Sequence, residues 1–367
     1  MEIRLLTSPD DFRTYDGWVR SHPEGSLWQS LEWKQFQEAL GRAVRIYVTE
    51  EDGTIAASAL VVIDRTSFGL STWEIPRGPL WVTDYGSRIT DFLEKIVADA
   101  KKTTIVSVLF SPAQIFRNPP FRPRGPSGPC GKFAIRYSHR FVMPEATRIV
   151  DLTLAEDDLL AQMKPKGRYN IRLAEKHGVT VAISRDVDAY AALAEETARR
   201  DGFRGHTQTF YNHFLQDVPG SFLLLAHLPE NAKKTPSEGR QDSLGSLPEA
   251  RPIAGLLGVM WGTTGIYYYG ASGNQNRDVM APYALQWEAM RHCKTHGCIS
   301  YDLFGIAPGT ETPSAETPQS PRGDHPWSGV SDFKAKFGGR VVHEPPEQEI
   351  VLRPGVKMLL GLKRKLF

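Results

Sequence analysis

A chain of 367 residues, 41% apolar and 23% charged, exceeds one ordinary domain and predicts two, each long enough to bury its own core. A formal net charge of +2 excludes a protein that holds nucleic acid by bulk positive charge, and leaves local basic patches as the places where phosphate would be met. The opening MEIRLLTSPDDF lacks the apolar run of a leader, the hydrophobic stretches elsewhere are strand-sized, and Cys130, Cys293 and Cys298 have no metal-ligand spacing. The expectation is a reduced, cytoplasmic chain that does not span a membrane and holds no metal.

In chain order, SLWQSLEWKQFQEALG predicts a helix and VRIYVTEEDGTIAASALVVIDR a hairpin turning at Asp52 and Gly53. STWEIPRGPLWV reads as a strand with its exit loop, 89–101 as a helix and 105–110 as a strand. The loop 111–131 is dense in Pro, Gly and Arg; its Arg117, Arg122, Arg124 and Lys132 either meet phosphate or are solvated. The order then repeats: helices at 187–200 and 209–215, a hairpin of 221–227 with 252–261, a strand at 265–271, a helix and a strand. LEKIVADAKKTTIVSVLFSP lines up with LQWEAMRHCKTHGCISYDLFGI, which points to duplication of one mixed α/β unit. In the second of these helices Tyr283, Leu285, Trp287, Ala289, Met290 and Cys293 form the apolar stripe, Glu288, Arg291 and Lys294 face away, and Gly297 sits at the C-terminal cap. The segments 229–251 and 307–327 lack periodicity and read as loops, the second placed either as a surface insertion or as a substrate-ordered lid. The last segment, VLRPGVKMLLGLKRKLF, is a short basic amphipathic helix that either closes the first domain or touches an anionic membrane surface.

No nucleophile elbow, metalloprotease helix, P-loop or dinucleotide fingerprint occurs, which leaves direct attack of one bound substrate on another as the economical chemistry. KPKGRYNIRLAEKHG concentrates Lys164, Lys166, Arg168 and Arg172; a helix over 169–176 would put Arg168 and Arg172 on one face, suited to the phosphates of a nucleic-acid end or to plain solvation. GVSDFKAKFGGRVV sets Lys334 and Lys336 beside Phe333 and Phe337 between glycines, so an ammonium there could stabilise a tetrahedral oxyanion. His206, His213 and His292 read as ordinary histidines, and Asp302 as a satisfied carboxylate ending a strand.

Three blocks, MKPKGRYNIRLAEKHGVTV, YYYGASGNQNRDVMAPYALQWEAMRHCKTHGCISYDLFGI and SDFKAKFGG, stand in the order found in the FemABX family, the aminoacyl-tRNA-dependent transferases that build peptidoglycan cross-bridges, and SLWQSLEWKQFQEALG with IPRGPLW resembles that family as well. The resemblance implies an α/β (α+β) fold of two GNAT-like acyltransferase domains in tandem, each a mixed sheet flanked by helices: 1–147 completed by 345–367, and 148–344 with the loops 229–251 and 307–327. It implies transfer of an amino acid from aminoacyl-tRNA to the side-chain amine of the diamino acid in a stem peptide on a UDP-linked or lipid-linked muropeptide. No cofactor is expected, only aminoacyl-tRNA as co-substrate, in a monomer that works in the cytoplasm or at its membrane face. By the same resemblance Lys334 is catalytic, stabilising the tetrahedral species with the backbone amide of Phe333. Arg204, Tyr211, Tyr269 and Lys34 or Gln37 contact substrate, and Lys164, Lys166, Arg168 and Arg172 contact tRNA. Ser111 before Pro112 departs from the aspartate common in that family and puts its stem-peptide contact in doubt, and the short run from Arg200 to Phe222 leaves no room for the helical arm of some relatives. Two other readings are an acetyl-CoA-dependent N-acyltransferase, disfavoured because NRDVMAPY replaces a glycine-rich pyrophosphate loop, and a non-catalytic RNA- or membrane-binding module.

Overall fold

The structure is a computed structural model that describes residues 2–65, 69–82, 88–112, 129–130, 133–138, 142–229, 251–309 and 325–366. The chain forms two compact units, residues 1–146 with 343–367, and 147–342.

In the first unit β1 (Ile3–Leu5) leads to α1 (Pro9–Ser21), which opens on a reciprocal cap: the Asp11 amide donates to Ser8 Oγ at 3.1 Å and the Ser8 amide to the Asp11 carboxylate. Ser30 caps α2 (Leu31–Ala39) by accepting from the Trp33 amide. β2 (Ala43–Glu51) and β3 (Thr54–Arg65) form the expected hairpin, with Asp52 and Gly53 both at positive φ, as a two-residue turn matched to strand twist requires. After β4 (Ser71–Ile75) and β5 (Leu80–Trp81), α3 (Ile89–Lys101) buries Ile89, Phe92, Leu93, Ile96, Val97 and Ala100 and returns the chain to β6 (Ile105–Phe110), parallel to β4. β7 (Pro129–Cys130) and β8 (Phe133–Tyr137) follow.

The second unit runs β9 (Ala146–Asp151), α4 (Glu156–Gln162), α5 (Pro165–Lys176), β10 (Thr180–Ser184), α6 (Val187–Asp201), α7 (Gln208–Asp217), β11 (Ser221–His227), β12 (Ala254–Trp261), β13 (Thr264–Ser272), α8 (Ala281–Thr295), β14 (Ser300–Asp302), α9 (Ser328–Lys334) and β15 (Arg340–His343). Its sheet order is β10-β11-β12-β13-β14-β9-β15, with β13 and β14 parallel across α8. This is the same strand–helix–strand arrangement as β4, α3 and β6 in the first unit, the repeat that the two aligned segments predict. The expected stripe of α8 is buried throughout, and Gly297 sits at φ 86° beyond its end. Lys294 does not face away: its ammonium donates to the carbonyls of Leu152 and Leu154 and ties α8 to the β9–α4 connection.

The chain then adds β16 (Gln348–Val351) to the first unit's sheet between β6 and β8, giving the order β1-β2-β3-β4-β6-β16-β8-β7 with β5 on β3, and ends in α10 (Pro354–Leu366). Between α6 and β11 there is only the ten-residue α7, so no arm projects from that segment. Most of the loops 229–251, 307–327 and 111–131 lies outside the described residues, and so do Arg117, Arg122, Arg124 and the adjoining Lys132. Among the described residues no helix is long and apolar enough to cross a membrane.

Candidate active site

Pairing between β13 and β14 ends at Ile266 opposite Asp302, and the strands then part. Just past that point β13 carries a bulge against β12: Gly258 faces Tyr267, Leu257 faces Tyr269, and Tyr268 is the extra residue. A bulge re-aims side chains that would otherwise alternate between the faces of a sheet. Here it distributes three consecutive tyrosines: Tyr267 lies under the Lys334 ammonium, Tyr268 stacks on Phe214 with centroids 4.8 Å apart, and the Tyr269 hydroxyl bonds His206 Nε2 at 2.8 Å.

Lys334, in the last turn of α9, is 6% exposed. Its Nζ donates to the carbonyls of Phe304 (2.8 Å) and Gly305 (2.7 Å) and stands 5.3 Å from the Tyr267 ring centroid. Phe304 adopts φ 57°, a left-handed conformation uncommon for an aromatic residue, in the loop that presents both carbonyls. That loop is held by Asp302, whose carboxylate accepts from the Phe304 amide at 2.7 Å and from the Thr147 hydroxyl, and by Ser331, whose Oγ accepts from the Ala307 amide and donates to the Trp327 carbonyl. Burial pushes the Lys334 ammonium down to about 7, opposed by the charge of Asp302. Desolvation pushes the Tyr267 phenol up to about 12, so it remains neutral beside the lysine.

A lysine amine has two N–H bonds and a lone pair, and an ammonium has three N–H bonds. Two donors satisfy the carbonyls in either state, so the geometry holds whether or not the third position carries a proton. That third position can give or take a proton near neutral pH or donate to an oxyanion. Asp302, read from the sequence as a satisfied carboxylate, is satisfied, and its charge also favours the protonated lysine against the larger effect of burial. The amide of Phe333 lies beyond the first four residues of α9, where amides are spent inside the helix, so the geometry does not present it as an oxyanion donor. The Phe333 ring meets Tyr283 and Phe337, with centroids 5.1 and 5.2 Å away.

Tyr211 and Tyr269 come together, 6.1 Å between centroids, with Phe210 stacked on His206 at 3.9 Å. Tyr268 joins this cluster to the Phe304 ring and so to the lysine's loop. Burial raises the phenols of Tyr190, Tyr211 and Tyr269, and the Tyr190 hydroxyl is buried with no hydrogen-bond partner among the described residues. His206, read as unremarkable, is the residue missed here; its partner Tyr269 is 63 positions away, and no local pattern links them. Arg204 is exposed on the connection between α6 and α7, two residues before His206.

Lys34 and Gln37 lie in the first unit and have internal roles. Lys34 pairs with Glu38 at 2.7 Å, and Gln37 is buried and accepts from Arg42. The expected substrate contact at Lys34 or Gln37 thus falls on side chains that already have protein partners, an i,i+4 pair for the half-buried Lys34 and Arg42 for the buried Gln37.

The basic segment is also re-sorted. α5 begins at Pro165, a residue suited to a helix's first position, not at Tyr169. Arg168 is half-buried and donates to the carbonyls of Ala161 and Met163 at the end of α4, so it does not form one binding face with Arg172. Lys164, Lys166, Arg172 and the intervening Tyr169 are exposed. Beside them a cleft of about 790 Å³ is lined by Lys164, Gln162, Arg148, Gly338 and Arg340. Arg340 is a cation that the sequence did not single out.

The FemAB family model matches residues 11–120, 133–235 and 227–354. A lipid II:glycine glycyltransferase of Staphylococcus saprophyticus is 22% identical, covering 96% of this chain and 95% of its own, and one of Staphylococcus aureus (strain COL) is 23% identical over 94% and 93%. Among solved structures, FemX superposes with a TM-score of 0.73 at 19% identity over 98% of this chain and 99% of its own. A tandem GNAT protein of the clavulanic acid pathway gives 0.50 at 11% identity over 95% and 97%. With a family model matched along most of its length and two GNAT-like mixed α/β units in tandem, this chain belongs to the FemAB family.

Proposed function

We propose that this protein is an aminoacyltransferase that moves an amino acid from aminoacyl-tRNA to the side-chain amine of a peptidoglycan stem peptide. The observation that carries the reading is Lys334, buried, fixed by two carbonyls and left with one position for chemistry. Near-full-length similarity to glycyltransferases supports it. An aminoacyl ester is already activated, so the acceptor amine attacks the carbonyl carbon directly. The C–N bond forms, the ester C–O bond breaks, and the proton lost by the amine ends on the leaving ribose hydroxyl. Lys334 supplies its third N–H to the oxyanion formed in between.

The segment NRDVMAPY, leading from β13 into α8, does not form the glycine-rich loop with which an acetyl-CoA enzyme would cradle a pyrophosphate. A turn at Arg277–Val279 is bounded by Asn276 and Met280 at positive φ, and Val279 and Ala281 are buried. The test offers the purified protein a mixture of aminoacyl-tRNAs with nucleotide-linked and lipid-linked muropeptides and follows the mass of the acceptor. Gain of one aminoacyl residue is expected; no gain, together with turnover of acetyl-CoA, would falsify the reading.

Lys164, Lys166 and Arg172 are the proposed phosphate contacts, with Arg340 beside them. Alanine at each of the first three flattens the slope of log K against log salt for tRNA binding by about 0.7–0.9. Arg168→Ala instead leaves that slope in place and costs about 1 kcal/mol of unfolding free energy in urea titrations, because two carbonyls lose their donor. Equal slopes for all four variants would return the segment to ordinary solvation.

A further inference from the structure

The helix α10 is amphipathic but does not bury its whole apolar surface. Val356, Lys357 and Leu360 are half-buried toward the first unit, where Lys357 pairs with the buried carboxylate of Glu349. Arg353, at the start of the helix, donates to the Thr103 carbonyl. On the other side Met358 and Leu359 are 65% and 63% exposed, two large apolar side chains adjacent on a helix otherwise anchored to the sheet. The sequence continues that apolar spacing at Leu362 and Leu366. Residues 350–367 contain five Lys and Arg, three of them consecutive at Lys363, Arg364 and Lys365, and no Asp or Glu. Two exposed apolar side chains on a segment whose sequence carries five basic and no acidic residues fit one occupant, the boundary between headgroups and acyl chains of an anionic bilayer; an acidic protein surface would pair the charge but leave Met358 and Leu359 in water.

We propose that α10 docks the protein on an anionic membrane surface, Met358 and Leu359 entering the acyl boundary while Lys363, Arg364 and Lys365 meet lipid phosphates. Joined to the aminoacyltransferase reading, on which this consequence rests, docking makes the lipid-linked muropeptide the preferred acceptor. A single short helix with three basic residues gives reversible attachment.

The test is flotation of the full chain with vesicles of equal parts phosphatidylglycerol and phosphatidylcholine, and with phosphatidylcholine alone. Binding to the anionic vesicles only, released by high salt, is expected. Replacing Lys363, Arg364 and Lys365 together by Gln lowers the partition coefficient on the order of a hundredfold, at about fivefold per basic residue. Met358→Asp with Leu359→Asp lowers it by at least about tenfold. Circular dichroism and transfer to a nucleotide-linked acceptor stay unchanged in both variants, because these residues lie outside the candidate site, while transfer to a vesicle-borne acceptor falls. Binding to both vesicle types alike, or variants that float like the parent, overturns the proposal and leaves the aminoacyltransferase reading standing. Floating protein that transfers to neither acceptor has the opposite meaning.

Discussion

Replacing Lys334 by alanine lowers the single-turnover rate of aminoacyl transfer by about 10²–10³-fold and leaves the dissociation constants of donor and acceptor within about threefold. The split follows from the geometry: two of the lysine's donors are already committed to Phe304 and Gly305, and the third acts on charge that exists only between ester and amide. A fall in affinity equal to the fall in rate would make Lys334 a binding residue. The same substitution carries a stability signature with a definite sign. The buried lysine titrates near 7 and an unfolded one near its ordinary 10.5. Between those values the unfolded chain holds a proton that the folded chain has released, so raising the pH across this window favours the folded state. Below about 7 both states are charged, and the full cost of burying the ammonium is present. The parent should therefore gain stability from about pH 7 upward relative to Lys334→Ala, as urea midpoints at several pH values would show.

Gly167→Ala should lower the transfer rate by about 10- to 100-fold although residue 167 is not proposed to touch substrate. A Cβ at this position would stand 2.3 Å from the Lys336 carbonyl oxygen, which also accepts from the Lys164 amide at 3.1 Å. Alanine normally improves a helix by about 1 kcal/mol over glycine, but a backbone oxygen cannot swing aside as a flexible side chain can. Either α5 retreats or the turn at Ala335–Phe337 moves, and Lys334 immediately precedes that turn. A net loss of about 1–2 kcal/mol in unfolding free energy is expected alongside the slower rate. Gly17→Ala is the control: it lies in α1 with open space around its Cβ position, so it should leave the rate unchanged and raise stability by up to about 1 kcal/mol. A Gly167→Ala protein as active as the parent would uncouple α5 from the lysine.

What was legible in the sequence was local. Asp52 and Gly53 announce their turn because few other residues tolerate two successive positive φ values, and α8 shows its stripe because burial on one face leaves a period. The helix–strand repeat could be aligned because both copies build the same parallel crossover. Lys334 was reached through its block, SDFKAKFGG, but its two carbonyl acceptors could not be, because a backbone oxygen leaves no mark in the residue alphabet. The same reason hid the internal roles of Arg168, read as a tRNA contact, and of Lys294, read as facing away from the core; both instead satisfy the ends and connections of other elements. The bulge at Tyr268 was invisible for a different reason: three successive tyrosines read as one strand, and only the register with β12 shows that one of them is extra. His206 became informative only when the fold closed the gap to Tyr269.

The central claim is direct attack of an acceptor amine on an RNA-borne ester, assisted by Lys334. Its most direct test is intact mass spectrometry of both protein and acceptor in a single turnover started with charged tRNA. The acceptor should gain one aminoacyl residue while the protein's mass stays constant, and Lys334→Ala should abolish the acceptor's gain on the same timescale. An aminoacyl adduct on the protein that decays as product appears, or an unchanged rate in the variant, would contradict it.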